Sequence, residues 1–361
     1  MCTIVPIVPI ALSSPACKLH PDIFLMRKHI EKIIMAALII ASLAGTHLYV
    51  TFYTPASRST EPVSVSIPRG ASFRVIANNL ERDGVIRSAG SFVFAASLLG
   101  AYRKVQAGEY ELSGSMAPIE ILRTLVGGKV KNYLFTVPEG YSVREVAALL
   151  ERAGFADKDE FVSRAFDPAL ASALGVQGST LEGYLFPDTY HLIRGLSTDE
   201  IIRLMVERFK SVYLPAIEKA AAQRGMSMRK VVTLASIIEK ETGASGERRT
   251  ISAVFHNRLN KGIRLQSDPT VIYGIEGFDG NLKKTHLRSK NPYNTYSRYG
   301  LPPGPIANPG KDSLEAAVNP EKADYLYFVS KNDGTHYFSK SLKEHNIAVG
   351  IYQKKVGRAE Q

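Results

Sequence analysis

The chain has 361 residues, with 45 Lys and Arg against 34 Asp and Glu, a formal net charge of +11, two cysteines and no tryptophan. That length leaves room for two or three domains with a sizeable core, and a 45% apolar composition excludes wholesale disorder, a collagen repeat and a bundle of many membrane spans. Two cysteines exclude a disulfide framework, and the basic excess leaves nucleic acid, membrane phosphate and an anionic polymer as classes of partner.

The first 25 residues hold Cys2, Cys17 and four prolines, and Met26 opens MRKHIEK, a conventional start for a signal anchor. Translation is therefore expected to begin at Met26. A lipobox reading of Ser14-Pro15-Ala16-Cys17 is weak, because Pro15 fits it poorly and no basic region precedes it. Ile33 to Tyr53 contains no Asp, Glu, Lys or Arg and is long enough to cross a bilayer as one helix. Arg27, Lys28 and Lys32 precede this run, and the next basic residue is Arg58. The asymmetry predicts a cytosolic segment 1–32, a transmembrane anchor 33–53 and the rest of the chain outside. The run is too long for a cleaved signal core, so the anchor is expected to stay. Residues 1–62 carry five basic and three acidic side chains and 63–361 carry 40 and 31. Most of the positive charge thus lies beyond the membrane, which argues against nucleic acid and for anionic lipid or an anionic wall polymer.

Residues 54–62, rich in Ser, Thr and Pro, read as a linker. Val63 to Ile67 alternate as a strand, and Ser72 to Arg82 read as a helix with Gly84 just past its end. Gly108 to Leu112 suggest a second strand, and Pro118 to Val126 a helix stopped by Gly127-Gly128. IPRGASFRVIANNLERDGV from Ile67 echoes VPEGYSVREVAALLERAGF from Val137, with nine of 19 positions identical at an offset of 70, which indicates a duplicated strand-turn-helix module. Ser142 and Glu145 form a capping box in the second copy.

From Thr198 onward the chain reads as mostly helical. The box Ser197–Glu200 opens a helical stretch to Ala222 with a break at Pro215. Further helices are expected at about 228–242, ended by Gly243, and 247–261, ended by Gly262. Loops rich in Gly, Pro, Asn and Tyr fill 264–309. Asn332-Asp333-Gly334 marks a hairpin between 325–329 and 336–339, and the box Ser341–Glu344 starts a final helix.

The eight histidines form no HExxH and no close pair with Cys, so no metal is expected; Gly127-Gly128-Lys129 lacks the upstream glycine of a phosphate loop. Ser227-Met228-Arg229-Lys230 matches the S-x-x-K of penicillin-binding enzymes, but no KTG follows. The carboxylates of MRKVVTLASIIEKET are more informative. Val231, Leu234, Ala235 and Ile238 form the apolar stripe, and Glu239 and Glu241 fall roughly 80° from its centre on opposite flanks. For a generic helix both would be solvated, and periodicity does not choose between them. Glu241 lies in the last turn, against the negative end of the dipole and beside Ile237 and Ile238, where a carboxyl pKa should rise toward that of a general acid. Gln266, Asp268 and Asn294 could contact sugar hydroxyls and acetamido groups, and Tyr184, Tyr190, Tyr293, Tyr296 and Tyr299 offer flat apolar faces. Against this stands the plainer reading of well-capped loops whose tyrosines serve the core.

The motifs LASIIEKET (Leu234–Thr242), SAVFHNRL (Ser252–Leu259), RLQSDPTVIYG (Arg264–Gly274), YNTY (Tyr293–Tyr296), GLPPGPIANPG (Gly300–Gly310) and EGYLFPDTY (Glu182–Tyr190) occur together in one order. In them the chain resembles the YceG-like (MltG) family of endolytic murein transglycosylases, over about Val63 to Tyr352. The resemblance implies an α+β fold with a single N-terminal transmembrane helix, a small LysM-like α/β module at 63–135 and a mostly helical α+β catalytic domain at 136–355, followed by a tail at 356–361. It implies cleavage between N-acetylmuramic acid and N-acetylglucosamine within nascent peptidoglycan strands, leaving 1,6-anhydro ends, with Glu241 as catalytic acid. Glu182, Tyr184, Asp188, Tyr190, Gln266, Asp268, Tyr293, Asn294 and Tyr296 are expected to bind substrate. No cofactor or metal is implied. The expected partners are peptidoglycan strands, the cell (inner) membrane with the catalytic domain outside it, and peptidoglycan synthases. A non-catalytic anchored scaffold and an ordinary muramidase are the competing readings.

Overall fold

The computed structural model describes residues 21–353 apart from Leu214 and Thr242. Cys2, Cys17, the Ser14–Cys17 segment and the tail lie outside them. The fold is mixed α+β and divides into two compact units, residues 1–130 and 131–361.

The first unit opens with helix α1 (Pro21–Tyr53), of which Met26–Tyr53 is long and apolar enough to cross a membrane by length and composition. It continues through β1 (Val63–Ile67), α2 (Phe73–Arg82), α3 (Ala89–Leu98), β2 (Gly108–Leu112) and α4 (Pro118–Val126). β1 and β2 pair antiparallel, Val63 opposite Leu112 and Ile67 opposite Gly108. Val65, Ile67, Phe73, Ile76, Leu80, Phe92, Tyr110, Leu112, Ile121 and Leu125 close a core over this hairpin. Removing those side chains from water is its main source of stability.

The second unit contains β3 (Tyr133–Thr136), α5 (Val143–Arg152), α6 (Lys158–Ala165), α7 (Pro168–Ala173), β4 (Thr189–Leu192), α8 (Thr198–Tyr213), α9 (Ala216–Gln223) and α10 (Met228–Glu241). After a 3-10 turn come α11 (Arg248–Asn260), α12 (Asp268–Tyr273), α13 (Lys284–Leu287), α14 (Lys311–Val318), β5 (Tyr327–Ser330), β6 (His336–Ser339) and α15 (Leu342–Tyr352). β3 pairs with β4, and β5 with β6, both antiparallel. At the centre is α10, whose residues Val231 to Ile238 are all buried, so that it is covered on every side. It packs against α9, α11, α12 and α14.

The local signals explain most boundaries. Ser72 and Ser142 cap α2 and α5, each with its hydroxyl accepting a backbone N–H three residues on, and Gly70 (φ 76°) and Gly140 (φ 77°) make the left-handed turn before them. The 70-residue echo is thus a repeated strand-turn-helix, one copy in each unit. The boxes at Ser142 and Ser197 form with both partners, while at Ser341 the Glu344 carboxylate reaches back to Lys340 N–H instead. Pro215 separates α8 from α9.

Candidate active site

The two glutamates near the end of α10 have different surroundings, and neither is solvated as a generic helix would have it. Glu239 pairs with Arg248 at 3.2 Å, side chains 6% and 10% exposed, and accepts the Gly310 N–H at 2.9 Å. Arg248 also donates to Ser313 Oγ at 3.1 Å. Glu239 therefore clamps the end of α10 to α11 and α14. A buried pair so hydrogen-bonded tolerates loss of neither partner.

Glu241, the last residue of α10, is half-buried and faces a cleft of about 350 Å³ that is also lined by Arg258, Leu265, Gln266, Asp268, Tyr296, Tyr327, Phe328, Leu342 and His345. Burial pushes its carboxyl up to about 7. The Ser267 hydroxyl, which donates to Oε1, opposes that rise, the negative charge of Asp268 adds to it, and Arg258 opposes it. A carboxyl raised toward neutral pH can give up a proton and take it back.

Backbone strain and buried hydrogen bonds build this cleft. Gln266 adopts φ 56°, a left-handed conformation unfavourable for a side chain larger than glycine's. The turn brings Ser267 under Glu241 and starts α12 at Asp268. Ser267 is itself fixed: its N–H donates to Thr295 Oγ1 (3.0 Å), and the Thr270 hydroxyl donates to its carbonyl (2.7 Å). Tyr296 OH donates to Asp268 Oδ1 at 2.6 Å. Arg258 reaches from α11 to the carbonyls of Leu326 (2.6 Å) and Leu265 (2.8 Å) and to Gln266 Oε1 (3.3 Å), with its guanidinium over the Tyr327 ring. His345 stacks on Tyr327 at 5.3 Å; burial and Arg258 hold its pKa below the usual imidazole value, and its Nδ1 is buried without a protein partner.

The structure thus brings Glu241, Gln266, Asp268 and Tyr296 together, and it puts the other expected residues elsewhere. Tyr184 is 1% exposed and meets Phe209 edge-on, and Tyr190 is buried with its hydroxyl on the Phe186 carbonyl. Both are core residues and present no face to a ligand, as tyrosine's amphipathic ring permits. Asp188 pairs with Arg208 (2.6 Å) beside β4. Asn294 is fully buried and spends its amide on the carbonyls of Leu287 (3.1 Å) and Ser289 (2.8 Å), pinning the loop that carries Tyr296. Glu182 is buried and accepts from Val143 N–H and Tyr273 OH, both at 3.0 Å; burial lifts its pKa to about 7. Tyr293 packs on Tyr273 at 4.8 Å. Ser227, of the S-x-x-K match, accepts the Lys230 N–H as a helix cap.

Ser267, Arg258, Tyr327 and His345 were not singled out from sequence. Ser267 and Arg258 lie inside quoted motifs, and only the fold shows that they converge on Glu241.

Comparison with known proteins places the chain in a family. The YceG-like family model matches residues 65–350. A curated relative from Bacillus subtilis, named an endolytic murein transglycosylase, is 35% identical over 311 residues, covering 81% of this chain and 86% of the relative. A relative of the same name from Streptococcus pneumoniae is 28% identical over 82% of this chain and 60% of its own length. The crystal structure of a yceG-like protein from Listeria monocytogenes superposes with a TM-score of 0.56 at 35% identity, covering 80% of this chain and all of that one. The chain belongs to the YceG-like family.

Proposed function

We propose that the chain is a membrane-anchored endolytic murein transglycosylase. The observation that carries the reading is the half-buried carboxyl of Glu241, tuned by burial and held by Ser267 in a cleft with Gln266, Asp268 and Tyr296. The relatives' shared name supplies the substrate and reaction class.

Protonated Glu241 donates to the glycosidic oxygen between muramic acid and glucosamine. The departing bond leaves an oxocarbenium-like centre, stabilised by the sugar's own acetamido group. The ionised Glu241 then takes the proton of the muramyl 6-hydroxyl as that oxygen attacks, giving a 1,6-anhydro end. One carboxyl serves as acid and then base, in contrast to the paired carboxylates of glycoside hydrolases. Asp268, Gln266 and Tyr296 position the sugar. Glu182, Tyr184, Asp188, Tyr190, Tyr293 and Asn294 hold the framework around it. The apolar helix α1 tethers the enzyme, N-terminus in the cytosol, so that it acts on nascent strands close to the membrane and their synthases. The segment 63–135, read as LysM-like, spaces or docks it there.

Digestion of purified peptidoglycan with the detergent-solubilised full chain, followed by mass spectrometry, tests the reading. Anhydro ends are lighter by one water than reducing ends. Reducing ends would indicate a muramidase, and undigested strands a scaffold. Glu241→Gln should keep the thermal transition and lose cleavage; near-normal turnover would refute the assignment.

A further inference from the structure

The first unit carries an apolar surface with no role in the catalysis proposed above. Phe94, Leu98, Leu99 and Tyr102 are all exposed, Phe94 at 51% and Leu98 at 61%. Phe94 and Leu98 lie one turn apart on the same face of α3, and Leu99 and Tyr102 follow directly at its end. The opposite face, Phe92, Ala95 and Ala96, is buried in the unit's core. Alanine, serine and apolar residues make up nearly all of α3, so the helix is apolar on its outward side as well. A soluble domain seldom leaves such a cluster in water.

Three observations say what covers it. First, α3 packs against α1, the helix apolar enough to cross a membrane. Second, α3 starts beside the end of α1: Arg87, next to the Ser88 cap, donates to the carbonyl of Pro55 at 2.7 Å. The cluster is thus built into the same unit as the exit of the span. Third, between Gly84 and Gly108 the charged residues are Arg87, Arg103 and Lys104, with no Asp or Glu. Apolar and aromatic side chains flanked by cations suit the boundary between acyl chains and anionic headgroups.

We propose that α3 and the turn after it form a second membrane contact, in which Phe94, Leu98, Leu99 and Tyr102 enter the headgroup–acyl boundary while Arg103 and Lys104 meet anionic headgroups. This rests on the reading of α1 as a membrane anchor. A single helix leaves the attached unit free to swivel, and a second contact fixes its orientation against the bilayer.

The chain has no tryptophan, so one introduced tryptophan reports alone. The full chain, as Phe94→Trp, Leu98→Trp or Ile40→Trp, is reconstituted into vesicles of phosphatidylglycerol and phosphatidylcholine. Emission is then measured with lipids brominated near the headgroup, with lipids brominated deep in the acyl chain, and with aqueous iodide. Ile40→Trp, on α1, should be quenched by deep bromines. Phe94→Trp and Leu98→Trp should shift to the blue, lose emission most to shallow bromines and be shielded from iodide. If both are open to iodide and untouched by bromine while Ile40→Trp is quenched at depth, the second contact is refuted and the anchor stands. If Ile40→Trp is also open to iodide, both fail.

Discussion

Replacing Ser267 with alanine isolates the control of the acid. In the wild type three influences act on Glu241 besides burial: the Ser267 hydroxyl and Arg258 favour the ionised form, and Asp268 disfavours it. Ser267→Ala removes the direct hydrogen bond from the Ser267 hydroxyl and leaves the charges in place. A hydrogen bond to a charged group is worth about 1.5–3 kcal/mol, and one pH unit corresponds to about 1.4 kcal/mol, so the Glu241 pKa should rise by about one to two units from its value of about 7. In the proposed mechanism the protonated form is the active acid. Activity therefore falls as pH rises through the Glu241 pKa, and the alanine variant should hold its activity to higher pH. The measurement is kcat/KM for release of soluble muropeptides across pH, because that ratio reports the free enzyme. Asp268→Asn is the opposing control: it removes the negative neighbour, and its alkaline limb should move to lower pH. An alkaline limb that stays put in Ser267→Ala, or moves toward acid, would refute the assignment of Ser267 as the group that tunes the acid.

Other substitutions read the framework. Glu239→Ala leaves the buried Arg248 with the more exposed Glu139 carboxylate at 3.6 Å and takes the acceptor from the Gly310 N–H, and should cost stability by up to about 3–5 kcal/mol, seen as a lower denaturation midpoint. Gly183 sits at φ 88°, and a Cβ there would meet Pro305 at 2.5 Å and Val232 at 2.8 Å; Gly183→Ala should lower the melting temperature more than any exposed glycine replacement. Glu182 has its folded pKa raised by burial to about 7, so it contributes stability at pH values below the ordinary carboxyl range that is lost as pH rises through about 7. The melting temperature should fall over that window, and Glu182→Gln should flatten the fall; an unchanged slope would count against a buried, titrating Glu182.

Much of this was readable from local patterns. The capping serines, the stop glycines after α2 and α4, Pro215 and the Asn332-Asp333-Gly334 turn each act within a few residues, so the chain states them directly. The partner strands were less legible. β4 pairs with β3 across more than fifty residues, and no local rule links Thr136 to Thr189. The site was divided in the same way. Glu241 and Asp268 stood out as polar residues in unusual places, whereas the difference between Tyr296 in the cleft and Tyr184 in the core depends on which side of the fold each ring meets. The likeness of Glu239 and Glu241 on a helical wheel hid an ion pair with Arg248, whose position is set by α11. Asn294 reads as a sugar contact in a loop, but the fold uses its amide for backbone carbonyls that would otherwise be unpaired.

The repeated strand-turn-helix bears on how the chain is made. The copy at β1–α2 finds its strand partner by Leu112, and its unit is complete by Val130, whereas the copy at β3–α5 waits for β4, whose Thr189 pairs with Thr136 from more than fifty residues further on. Domains tend to fold as they emerge. The first unit can therefore close while the residues around Glu241 are still being synthesised.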